Sequence, residues 1–70
     1  METITFELKG DYIELIKLLK FTGVCYTGGE AKQCVEDGLV KLHQNIETQK
    51  RKKIRKGDLI YFQNVEIKII

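Results

Sequence analysis

Polar and apolar positions alternate from Thr3 to Leu8. Ile4, Phe6 and Leu8 fall on one side, Thr3, Thr5 and Glu7 on the other, which predicts a half-buried strand that Gly10 ends. The period then changes. Ile13, Leu15, Ile16, Leu18 and Leu19 form a broad apolar face at helical spacing, with Lys17 and Lys20 on the polar side. Asp11 is placed to cap this helix, with Glu14 as its capping-box partner, and Gly23 suits the turn that ends it. Thr27-Gly28-Gly29-Glu30 repeats the cap logic. Ala31, Cys34 and Val35 give a narrow apolar stripe, and Gly38 fits the left-handed position after the helix. A short helix pair is therefore expected from about Asp11 to Asp37.

From Leu39 the period returns to two. Leu39–His43 reads as a strand, and Gln44-Asn45 as a turn in which Asn accepts positive φ. Ile46–Thr48 reads as a short strand. Next comes a basic loop with Ile54 as its single apolar anchor, and a turn at Lys56-Gly57-Asp58. Leu59–Phe62 and Val65–Ile70 are strands joined through Gln63-Asn64 as a hairpin. The order is β-α-α-β-β-β-β. It predicts an α+β domain, a helix pair packed on one face of a small, mostly antiparallel sheet.

Length bounds what such a fold can do. The chain has 70 residues, one domain at most, spanning 1–70. A domain of this size buries only about 60% of the surface its unfolded chain exposes, which leaves little core in which to build a deep catalytic cleft. Ser is absent altogether, so a serine nucleophile is excluded. No triad, paired carboxylates or metal cluster emerges, and the expectation is a protein that is not an enzyme and needs no cofactor. Cys25, Cys34 and the lone His43 make three soft ligands, one short of a structural zinc site. Cys34 is expected in the core, Cys25 as a loop thiol and His43 on a strand. Nothing reads as a secretory leader, so reduced thiols and a cytoplasmic location are expected. No apolar run approaches the roughly 20 residues that span a membrane.

Charge changes the picture most. The net charge is +2, but residues 1–40 carry four Lys against seven Asp or Glu, while residues 41–70 carry eight Lys or Arg against three acids. Lys50, Arg51, Lys52, Lys53, Arg55 and Lys56 crowd seven positions with no acid among them. Like charges at this density repel one another, and a polyanionic partner relieves the repulsion. An acidic protein, a membrane surface or a solvated loop are the other readings of such a run. Lys17, Lys20 and Lys32 on the polar helix faces can extend the loop into one backbone-binding patch. Gly28-Gly29 at a helix start can hold a phosphate, although close helix approach explains the same pair. Tyr12, Phe6 and Phe62 are expected in the core. Tyr26 and Tyr61 are the candidates for base stacking, and few exposed aromatics are expected besides.

Leu15, Leu19, Gly23, Thr27, Ala31, Gly38, Val40 and Gly57-Asp58 together resemble the S-four RNA-binding domain, named for small-subunit ribosomal protein four. That pattern is a helix with a Leu-x-x-x-Leu core, a glycine, a capped second helix with a buried Ala, then Gly-x-Val and a hairpin ending in Gly-Asp. The run Ile46–Ile54 is similar to the short stand-alone bacterial members, the YbcJ/YaaA-like proteins. The resemblance implies the αL RNA-binding motif. It also implies structured RNA as partner, ribosomal or transfer RNA among the candidates, and a monomer with no small-molecule substrate or membrane. The alternative is an adaptor that docks on an acidic protein, for instance in ribosome assembly. Two departures stand out. Gly28 and Glu14 occupy positions where many family members carry a basic residue, which shifts the expected grip toward Lys32 and the loop. Larger relatives fuse this domain to pseudouridine synthases, methyltransferases or tRNA synthetases, and no such partner is present in these residues.

Overall fold

The computed structural model describes all residues 1–70. The elements run β1 (Glu2–Phe6), β2 (Ile13–Glu14), α1 (Leu15–Phe21), α2 (Gly28–Glu36), β3 (Val40–Leu42), β4 (Asn45–Ile46), β5 (Lys53–Ile54), β6 (Leu59–Phe62) and β7 (Val65–Ile69). A five-stranded sheet has the order β1-β7-β6-β3-β4, and β2 and β5 form a separate two-stranded ribbon. Every pair is antiparallel except β1 with β7, where Ile4 lies opposite Ile67. The α+β class is as the hydrophobic pattern predicts. The element order differs by the two short strands β2 and β5.

One core joins the layers. Leu15, Leu18 and Leu19 of α1 and Ala31 and Val35 of α2 are fully buried, together with Val40, Ile60 and Ile67 of the sheet. Alternation along β6 sends Ile60 and Phe62 inward and leaves Leu59 and Tyr61 on the outer face. No helix is long and apolar enough to cross a membrane.

The first helix starts later than the capping pattern predicts. Residues 13 and 14 are extended, Ile13 opposite Ile54 and Glu14 opposite Lys53. Glu14 is the N-cap, with φ −69° and ψ 142°, and no side chain caps the helix. The Asp11–Glu14 capping box therefore does not form. Instead the Leu15 N–H donates to the Lys52 carbonyl at 3.0 Å and the Ile16 N–H to the Lys50 carbonyl at 3.1 Å. Main-chain groups of the basic segment satisfy donors that a side chain was expected to satisfy. A seven-residue helix is far below the length that is stable alone, so this long-range contact and the buried leucines hold it.

The second helix follows its sequence signals. Thr27 accepts from the Glu30 N–H at 3.0 Å, the cap its position predicts, although the returning bond from the Glu30 carboxylate is not formed. Gly38 has φ +75°, and the Gly38 and Leu39 N–H groups close onto the Val35 and Cys34 carbonyls, both at 3.1 Å, ending α2 as expected. The cysteines exchange their expected places. Cys25 is in the core, and Cys34 is only half-buried. The chain turns back after α1, where the Cys25 N–H bonds to the Leu19 carbonyl, and this carries Cys25 inward.

The turn after β3 also differs. It sits at His43-Gln44 rather than Gln44-Asn45, and the positive φ falls on His43 (57°), with Asn45 already in β4. Gln63-Asn64 turns as predicted, with Gln63 at φ 55°.

Candidate nucleic-acid interface

Ile54 fixes the basic segment. Its side chain is fully buried, and its backbone pairs with Ile13. On the N-terminal side the Lys50 and Lys52 carbonyls hold α1. On the C-terminal side a closed turn takes over. The Arg55 N–H donates to Asp58 Oδ2 at 2.8 Å, the Asp58 N–H returns to the Arg55 carbonyl at 3.1 Å, and the Gly57 N–H reaches the Ile69 carbonyl at 2.8 Å. Gly57 takes φ +93° there, a conformation few side chains accept. What the sequence reads as a loop is a segment held by main-chain bonds at both ends.

Its side chains are left to solvent. Arg51, Lys52, Lys53, Arg55 and Lys56 are exposed and Lys50 is half-buried. No carboxylate lies within ion-pair distance of any of the six. The structure has two such pairs, Lys17–Glu14 at 3.8 Å and His43–Asp58 at 3.2 Å, both elsewhere. Uncompensated charge of one sign on a fixed backbone is the electrostatic footprint of an anion-binding surface.

The other predicted cations are placed differently from one another. Lys17 is exposed, follows the two α1 residues whose N–H groups bond to the segment, and is partly neutralised by Glu14. Lys20 is exposed in the last turn of α1. Lys32 is exposed on α2, which packs against α1.

Tyr12 is a feature the sequence reading misses. Expected in the core, it is 45% exposed. Lys53 Nζ stands 4.9 Å from its ring centre and the Arg55 guanidinium 5.9 Å. Arg55 also extends Nη1 to the Asp11 carbonyl at 3.5 Å. The ring thus organises two of the six cations, each contact worth about 0.5–1 kcal/mol at an exposed site. No local pattern announces it, because β2 pairing alone brings Tyr12 to the segment. Of the two stacking candidates Tyr26 is 86% exposed and Tyr61 half-buried, and Phe21, at 65%, adds an exposed aromatic that was not expected. Phe62 is buried and Phe6 packs half-buried against the core.

His43 stands on a turn rather than a strand and does have a carboxylate partner, Asp58. The cysteine environment offers no reactive thiol at Cys25. Burial first, and then the neighbouring Cys34, push it up to about 12, so the nucleophilic thiolate is scarce at neutral pH.

Comparison with known proteins agrees with this architecture. YbcJ of Escherichia coli (strain K12), whose name marks it as a candidate RNA-binding protein, is 36% identical over 67 residues, covering 94% of this chain and 96% of YbcJ. A protein of the same name from Shigella flexneri, described as uncharacterized, matches to the same extent. The solution structure of E. coli YbcJ, described as revealing an αL motif involved in RNA binding, superposes with a TM-score of 0.70 at 33% identity, over 100% of this chain and 87% of that one. Residues 6–70 match the S4 domain, the family called S-four above, so the match takes in both helices, the ribbon that holds the basic segment and four strands of the main sheet. This chain belongs to the S4 domain family.

Proposed function

We propose that this protein binds structured RNA through the phosphate backbone and carries out no chemistry on it. The observation that carries this reading is the set of six cations on Lys50–Lys56, none paired with a carboxylate, on a segment fixed at both ends by main-chain bonds. The RNA-binding descriptions of the YbcJ relatives support it. Lys50, Arg51, Lys52, Lys53, Arg55 and Lys56 neutralise phosphates, Lys17 and Lys20 continue the surface along α1, and Lys32 is its outermost member. Ribosomal and transfer RNA are the candidate targets, met by a cytoplasmic monomer.

Rigidity favours a folded target. Cations held in register match phosphates held at fixed spacing, and a stem-loop has already lost the conformational entropy that a flexible strand must still give up. Recognition is then by shape, because the deep, narrow major groove of an RNA helix hides its base edges. The test is a competition titration at one near-physiological salt concentration. A labelled stem-loop is displaced by an unlabelled stem-loop, an unstructured strand or a DNA duplex of equal charge. The stem-loop should compete best. Equal competition by all three would reduce the protein to a general polyanion binder.

A further inference from the structure

The outer face of the main sheet, opposite the helix layer, carries an open groove of about 350 Å³ lined by Met1, Leu39, Lys41, His43, Gln44, Tyr61 and Gln63. Its size lies at the low end of ligand clefts. Lys41 and Tyr61 are direct cross-strand partners on β3 and β6. No carboxylate lines it.

Three observations beyond the cavity converge here. First, the chain holds only two non-glycine residues at positive φ, His43 and Gln63, and both line this groove. Both are hairpin-turn positions, where the turn itself calls for positive φ, so two turns of the sheet contribute to the same groove. Second, the Asp58 carboxylate beside the groove is already engaged. Asp58 Oδ1 lies 3.2 Å from His43 Nε2; a carboxylate only accepts, so the imidazole donates. Glu66, the cross-strand neighbour of Tyr61, raises the phenol's pKa, which keeps the ring neutral. Third, a hydrogen-bonded bridge ties the groove to the basic segment. Asp58 binds His43 through one oxygen and the Arg55 N–H through the other, at 2.8 Å.

We propose that this groove takes one unpaired nucleobase of the RNA whose backbone lies on Lys50–Lys56, with Tyr61 as the stacking surface. The Gln44 and Gln63 amides offer donors and acceptors to the base edge, and Lys41 meets the attached phosphate. The ligand is therefore a junction of stem and single strand. The inference rests on the RNA-binding reading and adds to it a second site and a defined RNA feature.

The experiment compares a blunt stem-loop with the same stem-loop bearing a short unpaired 3′ tail, at matched phosphate number. The tail carries 2-aminopurine, whose fluorescence falls on stacking. The tailed RNA should bind about tenfold tighter, within the range alanine substitution gives for one base stacked on an aromatic ring, with quenching. Tyr61→Leu should remove both the quenching and the preference. Gln63→Gly relieves the backbone, so it should melt at or above the wild-type temperature and still lose part of the preference, which a merely structural residue would not do. Lys41→Gln keeps the readout available if Tyr61→Leu folds poorly. If blunt and tailed RNAs bind alike, or Tyr61→Leu, Lys41→Gln and Gln63→Gly all keep the preference, the groove is not a base site while backbone binding stands. If neither RNA binds, both readings fall.

Discussion

Replacing Lys50, Arg51, Lys52 and Lys53 together with Gln separates the two things the basic segment does. Its structural work is done by carbonyls, an extended backbone pair and the Ile54 side chain, none of which the substitutions touch. The fold loses one contact, Lys53 over Tyr12, of about 0.5–1 kcal/mol, and gains from relieved repulsion. The melting temperature should stay within a few degrees of wild type. Binding behaves otherwise. Each phosphate neutralised contributes about −0.7 to −0.9 to the slope of log K against log salt, so six contacts give about −4 to −5. Between about 50 and 200 mM salt the wild type should then lose roughly 300- to 1,800-fold in affinity, and a variant keeping only Arg55 and Lys56 about tenfold. Fluorescence anisotropy across a KCl series on one stem-loop reads both slopes. A variant that folds normally and keeps the wild-type slope would refute the segment as the binding surface. A variant that unfolds would refute its main-chain anchoring.

Ala31→Leu should cost about 1–3 kcal/mol by overpacking the contact of α2 with α1, where Ala31 is fully buried, and calorimetry reads the loss. Gly38→Val should destabilise by about 1–2 kcal/mol or more. The reason is not space, because an added Cβ would meet Ile46 Cγ2 at an ordinary 3.6 Å, but the φ of +75°. Tyr12→Leu, which removes both cation contacts, should lower stability by about 1–2 kcal/mol, and a double-mutant cycle with Lys53→Met should show that the two losses are not additive. Cys25, raised by burial to about 12 from 9.0, keeps its proton longer in the native state than in the unfolded one. Its contribution is thus fully present below pH 9 and is lost as pH rises through about 12. Urea melts from pH 8 upward should show the decline, and native alkylation should label Cys34 before Cys25.

Strands β3, β6 and β7 were legible because one face of each is buried and alternation records it, whereas β4, exposed on both residues, lies at Asn45–Ile46 rather than Ile46–Thr48. β6 runs Leu59–Phe62 as read, and β7 falls short by one residue. Thr27 and Gly38 were legible because caps use side-chain chemistry within a few residues. The start of α1 was not. Its real cap is a pair of carbonyls from a distant segment, and every residue has a carbonyl. The same ribbon of β2 with β5 explains why Tyr12 was misplaced, and the turn of Cys25 toward Leu19 why the cysteines were exchanged. At the interface, which residues are charged could be read from composition. That the segment's own carbonyls hold the start of α1 could not, because it depends on which elements meet.

The bonds from Leu15 and Ile16 to the Lys52 and Lys50 carbonyls also set the order in which the chain can fold. Both helices and two strands lie between donor and acceptor, so α1 cannot be finished by local events. A nascent chain whose basic segment has not emerged carries α1 with its first turn frayed. The helix, the ribbon and the binding surface then become native in one step. Cooperativity of this kind leaves no folded intermediate in which the helices are complete and the basic segment is loose. The amide protons of Leu15 and Ile16 should accordingly exchange with those of Ile54, as one unit rather than as a helix end.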